Sequence, residues 1–166
     1  MKISKKGIDL LKHFESYRMK AYKCPADVWT IGWGFTRIND IKVKEGDIMT
    51  LKDADKELIK QLRIYENVVK KVIIIEKINQ NQYDALVSLC YNIGGSSFRK
   101  SDIVQLVNSR NFIGACRIFN LWSSAAKKRS KGLLRRRISE RNLFCSWPDP
   151  IMKVVPQNYK ITYKEI

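Results

Sequence analysis

Histidine is nearly absent: His13 is the one imidazole in the chain. The four cysteines, Cys24, Cys90, Cys116 and Cys145, stand far apart with no CxxC pair. The ligand spacing of a zinc site is therefore missing, and free thiols are expected. No window approaches the roughly 18 consecutive apolar residues of a membrane span, and the opening MKISKKGIDLLKHFE has no apolar run of the signal-peptide kind. These absences predict a chain made in the cytoplasm without signal peptide or membrane anchor, which stays inside unless something releases it. Repeats and low-complexity segments are missing too. Acidic residues are scarce, 16 against 32 Lys plus Arg, for a formal net charge of +16. Anionic partners follow: nucleic acid, acidic lipid or an acidic cell envelope.

What is present is enough chain, 166 residues, to bury a real core in one domain, with room for two lobes. Ser4 can cap a first helix in which Ile8, Leu11 and Phe14 recur at helical spacing, and the pattern fades at Ser16 and Tyr17. Glu15 then falls in its last turn. From Ala21 to about Asp47 turn residues gather, at Cys24-Pro25-Ala26-Asp27, Asn39-Asp40 and Glu45-Gly46-Asp47, and short strands in hairpins fit best. Thr50-Leu51-Lys52-Asp53 reads as a capping box opening a long helix with an apolar stripe of Leu51, Ala54, Leu58, Leu62 and Tyr65. The β-branched run Val72 to Ile75 fits either state. Asn79 can cap the next helix, with Tyr83, Leu86, Val87 and Cys90 on one face and Gly94-Gly95 ending it. Shorter helical patterns follow over Asp102 to Val107 and Phe112 to Leu121, with Trp122 expected in the core. After a polar, basic stretch from Ser123 to Lys131, Leu133, Leu134, Ile138 and Phe144 predict a final helix to Cys145. The expected fold is α+β: a β-hairpin lobe at about 14–50, a connecting helix at about 51–76 and a helical lobe at about 79–147 with the first helix against it. A tail occupies 148–166. A cleft between lobes is the natural ligand site.

The stretch CPADVWTIGWG, 24–34, concentrates chemistry. Read as a strand from Val28 to Phe35, it puts Trp29, Ile31, Trp33 and Phe35 on one face and Val28, Thr30, Gly32 and Gly34 on the other. Alternating glycines can mark close approach by a ligand, with Thr30 as the hydroxyl on the bare face. A structural hairpin with two glycine kinks explains the same pattern.

The run FESYRMKAYKCPADVWTIGWGFT, Phe14 to Thr36, resembles the active-site segment of phage-type lysozymes, the endolysins of glycoside hydrolase family 24. There a Glu is followed nine positions on by Asp or Cys and six further by Thr, and Glu15, Cys24 and Thr30 stand at those spacings. The likeness continues through NQYDALVSLCYNIGGSSFRKSDI and GLLRRRISERNLF, to about Trp147. Phe35 stands where the family usually has His, so stability there must rest on packing. Asp27 stands where relatives often have Gly.

The resemblance implies a lysozyme-like fold and hydrolysis of the β-1,4 bond between N-acetylmuramic acid and N-acetylglucosamine, without cofactor or metal. Such cleavage needs a proton on the leaving oxygen and a water or carboxylate on the other face of the sugar. Glu15 is the expected acid, its proton kept on by desolvation beside a partly apolar cleft. Cys24 is a poor carboxylate mimic, since a thiol is mostly neutral at pH 7; Lys23 and Arg18 could favour its thiolate, or Thr30 could hold the water while Cys24 shapes the pocket. Asp27 is a reserve carboxylate, with a local turn hydrogen bond as its other reading. Tyr91 and Asn92 resemble the family's positions facing the sugar, an aromatic plane and an amide suiting a saccharide, with a core Tyr and a helix-terminal Asn as the other reading; Thr36 is a further substrate-binding candidate.

Lys127, Lys128, Arg129, Lys131, Arg135, Arg136, Arg137 and Arg141 concentrate positive charge late in the chain. A nucleic-acid binder and a wall enzyme held at an anionic envelope both predict this, and a solvated helix face does as well. No nucleic-acid fold signature or basic stripe interleaved with aromatics is present, so specific nucleic-acid binding is not expected. The expected partners are peptidoglycan glycan strands met by a monomer, after a holin-like release. The alternative is a lysozyme-like wall-binding or effector protein without full catalysis.

Overall fold

The computed structural model describes residues 1–24, 26–125 and 128–146; Pro25, Lys127, the side chains of Lys128 and Arg129 and the 148–166 tail lie outside them. Helix α1 (Lys5–Glu15) starts where the Ser4 hydroxyl accepts from the Gly7 N–H at 3.4 Å. This start is fastened from the far side: buried Asp84 accepts from the Ser4 backbone N–H at 2.9 Å and from its hydroxyl, and buried Glu66 accepts from the Ile3 N–H at 2.6 Å. Gly7 lies so close to its neighbour that an added Cβ would meet the Asp84 side chain at 2.8 Å. The backbone of α1 is thus seated before Glu15 is reached, and the helix stops at Ser16, φ 52°.

Strands β1 (Arg18–Lys23) and β2 (Trp29–Gly32) pair antiparallel, with Tyr22 opposite Thr30 and Lys23 opposite Trp29. A second hairpin joins β3 (Arg37–Ile38) to β4 (Ile41–Lys42). The strand expected from Val28 to Phe35 is shorter than its pattern. It ends at Gly32, because Gly32 and Gly34 adopt φ of 62° and 95°, which glycine reaches without the Cβ clash other residues suffer. Ile31 and Phe35 then close a tight turn through two bonds, Phe35 N–H to the Ile31 carbonyl at 2.8 Å and Ile31 N–H to the Phe35 carbonyl at 2.9 Å. The expected separation into a packed face and a bare face fails: Thr30, Ile31, Gly32, Trp33 and Phe35 are all buried, while Val28 is exposed.

The long helix α2 (Leu51–Val72) opens on Thr50, whose hydroxyl accepts from the Asp53 N–H. Ala54, Leu58 and Leu62 are buried as the stripe predicts, whereas Leu51, at the helix start, is exposed. The Val72 to Ile75 run ends the helix and continues as irregular chain. Helix α3 (Gln80–Ile93) carries a reciprocal Asn79–Gln82 capping box and ends at Gly94, φ 83°. Every residue from Gln82 to Cys90 is buried, so α3 is the axis of the helical lobe, with α1, α2 and the last helix packed around it. Short helices α4 (Gly95–Arg99), α5 (Asp102–Asn108) and α6 (Phe112–Ile118) follow, then a 3-10 turn over Phe119–Trp122 that leaves Trp122 only partly buried at the core's edge. A hairpin of β5 (Ser124–Ala125) and β6 (Lys128–Arg129) leads into α7 (Lys131–Cys145). The result is an α+β fold with a hairpin lobe, a helical lobe and a long connecting helix.

Two expectations fail in the last helix. Leu133, Leu134 and Ile138 are only half-buried, and the positions turned fully inward include Arg136, Arg137 and Glu140 beside Leu143 and Phe144. The cysteines are also not all free. Cys116 in α6 and Cys145 at the end of α7 form a disulfide with Cα atoms 6.3 Å apart, while Cys24 and Cys90 stay reduced. Sequence spacing could not reveal the pair, because the two residues are separated by 29 positions and meet only through the packing of α6 on α7.

Reduction, or Cys145→Ser, should lower unfolding stability by about 3.6 kcal/mol on the loop-closure argument for a separation of 29 residues. Urea titrations with and without dithiothreitol measure it, and an unchanged midpoint would remove the bond's structural role.

Candidate active site

Glu15, the last residue of α1, has its side chain 19% exposed. Its Oε1 accepts from Arg136 Nη1 of α7, and its Oε2 lies on the side of Gly34, where an added Cβ would stand 3.3 Å away. The apolar seat expected around this carboxyl is therefore replaced by an ion pair on one oxygen and bare glycine on the other. Arg136 is itself 3% exposed and gives Nε to Glu140 Oε1 at 3.1 Å. Fully buried Glu140 also accepts from the Ser88 hydroxyl at 2.6 Å and from Arg137 Nη2 at 3.3 Å. Arg137 Nε and Glu140 Oε2 lie 3.0 Å apart, close enough for Coulomb attraction but misaligned for a hydrogen bond. Arg137 Nη2 reaches Asn92 Oδ1 at 2.8 Å.

Burial pushes the Glu140 carboxyl up, and the two guanidiniums and Ser88 pull against it. Burial likewise draws the Arg137 guanidinium down to about 10, with Glu140 opposing; at neutral pH it remains charged. The basic run, for which a solvated helix face is one of the readings, is thus split. Arg135 faces outward, while Arg136 and Arg137 point inward because three carboxylate and amide partners wait there.

Two grooves meet at this carboxylate. One, of about 510 Å³, runs between the hairpin lobe and α2, with Thr36, Asp40, Gln61 and Tyr65 among its walls. The other, of about 700 Å³, runs between the end of α1 and α7, past His13, Ser130 and Arg135. Glu15 and Asn92 line both. Tyr91 lines the first groove, its hydroxyl donating to the Trp33 carbonyl at 3.2 Å, and its phenol is pushed up by burial and by the Glu15 carboxylate. Asn92 spends its oxygen on Arg137, so its amide nitrogen is the donor left for a ligand.

Cys24 and Thr30 are brought together by the β1–β2 pairing, but neither lines these grooves. Thr30 is 4% exposed and its hydroxyl donates to the Val28 carbonyl at 3.0 Å. The Cys24 thiol is drawn below its usual value by the backbone N–H groups of Val28 and Ala26, with Thr30 helping and desolvation opposing. The Lys23 and Arg18 side chains expected to do this are occupied elsewhere: Lys23 pairs with Asp27 at 2.8 Å, and Arg18 stacks over Tyr22 at 4.5 Å. Asp27 is thereby an exposed partner of Lys23 in a turn, at φ 57°. Phe35 is buried against Gly32, so packing does hold that position.

Sequence reasoning missed Ser88, Arg136, Arg137 and Glu140 as site supports. Only the i,i+4 spacing of Arg136 and Glu140 signalled any of this, and such spacing usually marks an exposed pair. Among the described residues there is no cluster of three or more His, Cys, Asp or Glu side chains able to hold a metal, and no helix long and apolar enough to cross a membrane.

The family described as phage lysozyme matches residues 12–140. The chain belongs to the phage lysozyme family. It is 38% identical over 151 residues to an endolysin of Acyrthosiphon pisum secondary endosymbiont phage 1, spanning 87% of this chain and 98% of that one. It is 38% identical over 147 residues to the endolysin of Salmonella phage P22, spanning 88% and 99%. Among solved structures, an endolysin from Escherichia coli O157:H7 phage FAHEc1 superposes with a TM-score of 0.83 at 32% identity, covering 90% of this chain and 98% of that one. The protein is accordingly a lysozyme, a glycoside hydrolase of the endolysin type.

In this lysozyme Glu140→Ala should cost roughly 3–5 kcal/mol of stability, since it leaves buried Arg137 without a counter-charge and Arg136 with Glu15 alone; a shift under 1 kcal/mol in chemical unfolding would contradict the buried network. Cys24 should be the one thiol that iodoacetamide alkylates in the folded state, with a rate midpoint below the ordinary 9.0 because its thiolate is favoured. Cys90, pushed up to about 12 by burial, should react only on unfolding. Mass spectrometry across pH reads both.

Proposed function

We propose that this lysozyme cleaves the β-1,4 bond between N-acetylmuramic acid and N-acetylglucosamine in peptidoglycan with Glu15 as the proton donor. The observation that carries the reading is the position of Glu15 at the junction of two grooves, so that a glycan strand laid along both has saccharide on either side of that carboxyl. The oxygens of Glu15 divide the work. Oε1 stays in the grip of Arg136, while Oε2, facing Gly34, carries the proton toward the leaving oxygen. Gly34 matters because a side chain there would press on that oxygen.

Cys24 and Thr30 are assigned to the water that completes hydrolysis, on the Glu–Cys–Thr spacing and on the lowered thiol beside the Thr30 hydroxyl. Thr30 has one proton, which serves either the Val28 carbonyl or the sulfur, so a water held there would meet Thr30 as an acceptor when the proton is turned away. Asp27, held by Lys23 on the surface, takes no part. Tyr91, the Asn92 amide nitrogen and Thr36 line the sugar track.

Residues 1–147 form the catalytic unit, which works as a monomer, and 148–166 form a tail. Its synthesis is cytoplasmic, and it reaches the wall by a holin-like route. The formal charge of +16 holds it by Coulomb attraction to the anionic envelope.

Glu15→Gln keeps the hydrogen bond to Arg136 and removes the transferable proton. It should fold normally and lose at least ~100-fold of the activity on purified peptidoglycan, as removal of a general acid does. A zymogram that still clears would refute the assignment. Cys24→Ser and Cys24→Ala assayed alongside separate a thiolate acting as base from a thiol that only shapes the pocket.

A further inference from the structure

We propose that Trp33, Asp55 and Lys12 are positioning residues that hold the Gly34 turn against Glu15; this rests on the reading of Glu15 as the acid. Trp33 is 8% exposed and does not line the grooves, yet it is tied on three sides. Its indole Nε1–H donates to Asp55 Oδ1 of α2 at 2.8 Å. The Lys12 ammonium reaches the same oxygen at 2.7 Å and stands 5.3 Å above the indole centroid. The Trp33 carbonyl, at the peptide bond leading into Gly34, accepts from Tyr91 of α3 at 3.2 Å.

The geometry makes this more than local packing. Gly34 has a positive φ and no side chain, and its own N–H bonds only within the turn, to the Ile31 carbonyl at 3.2 Å, so nothing of its own ties it to the helices opposite Glu15 Oε2. Its place is set by the residue before it. Lys12 lies one turn ahead of Glu15 on α1, so the helix that carries the acid also fixes, through Asp55 and Trp33, the wall the acid faces. Burial raises the Asp55 carboxyl, but Lys12 and the indole outweigh it and favour the charged form that pairs with Lys12, while the indole needs only the oxygen as acceptor. Displacement of a reacting group by about 1 Å can cost on the order of 100-fold in rate, so loosening this wall acts on turnover rather than on glycan affinity.

The experiment compares Trp33→Phe, Asp55→Ala and Asp55→Asn with the parent on soluble, uncrosslinked glycan chains, well below each melting temperature, with Glu15→Gln run in parallel. Trp33→Phe and Asp55→Ala should each lower kcat about ten-fold with KM within two-fold. Asp55→Asn keeps an oxygen acceptor for the indole and should recover kcat to within about three-fold of the parent. The Trp33 indole resonance in a 1H–15N spectrum should keep its hydrogen-bonded position in Asp55→Asn and lose it in Asp55→Ala. Unchanged kcat in Trp33→Phe and Asp55→Ala, a loss confined to KM or to melting temperature, or an Asp55→Asn no better than Asp55→Ala, overturns the proposal. An active Glu15→Gln would instead overturn the acid assignment itself.

Discussion

Four charges hold the site in place. Glu15, Arg136, Glu140 and Arg137 form a chain of alternating sign at the meeting of α1, α3 and α7, with Ser88 and Asn92 as neutral partners. Each desolvated charge would be costly by itself; Glu140 finds both its ion partners on its own helix, while Arg136 needs Glu15 of α1 and Arg137 needs Asn92 of α3 to complete theirs. Arg136 is the link, with one nitrogen on Glu15 and another on Glu140. The register of α7 against α1 is therefore set by charge geometry as much as by apolar contact, and the disulfide at the far end of α7 secures the same helix to α6.

The hairpin lobe solves a different problem: bringing backbone close to a carboxylate without a side chain intervening. Two glycines at positive φ fold the chain back after β2, bury Trp33 and Phe35 together and leave Gly34 facing Glu15. A continued strand would also put Trp33 and Phe35 on one face, but it would carry the chain onward instead of turning Phe35 back to bond with Ile31. Packing by Phe35 and the polar ties of Trp33 divide the anchoring, the first holding the turn to its own lobe and the second holding it to α1, α2 and α3.

Helical elements were legible because their signals are local. The caps at Ser4, Thr50 and Asn79 and the stops at Gly94 and Cys145 follow from a few neighbouring residues, and so does the placing of Glu15 at the end of α1. The stripe of α7 misled because hydrophobic periodicity assumes that charge faces water, and here Glu15 of α1 and Glu140 of α7 itself supply the counter-charges, with Ser88 and Asn92 of α3 as neutral partners. The disulfide was invisible for a related reason: Cys116 and Cys145 are neighbours only after α6 and α7 pack. For the Cys24 thiol the sequence offers Lys23 and Arg18 as one candidate source of a lowered value, whereas backbone N–H groups, which no sequence pattern displays, are its first cause.

By itself, then, the sequence determined the family, the α+β plan, the helix termini and the residue types Glu15, Cys24 and Thr30 at their spacing, since each depends on residues close along the chain or on a motif read in order. Only the tertiary structure decided that Glu15 meets Arg136, that two grooves converge on Glu15 and that Thr30 is buried with its hydroxyl on Val28. Those facts depend on groups up to 121 positions apart along the chain. Their energies come from desolvation and exact distance, which exist only once the helices have closed around them.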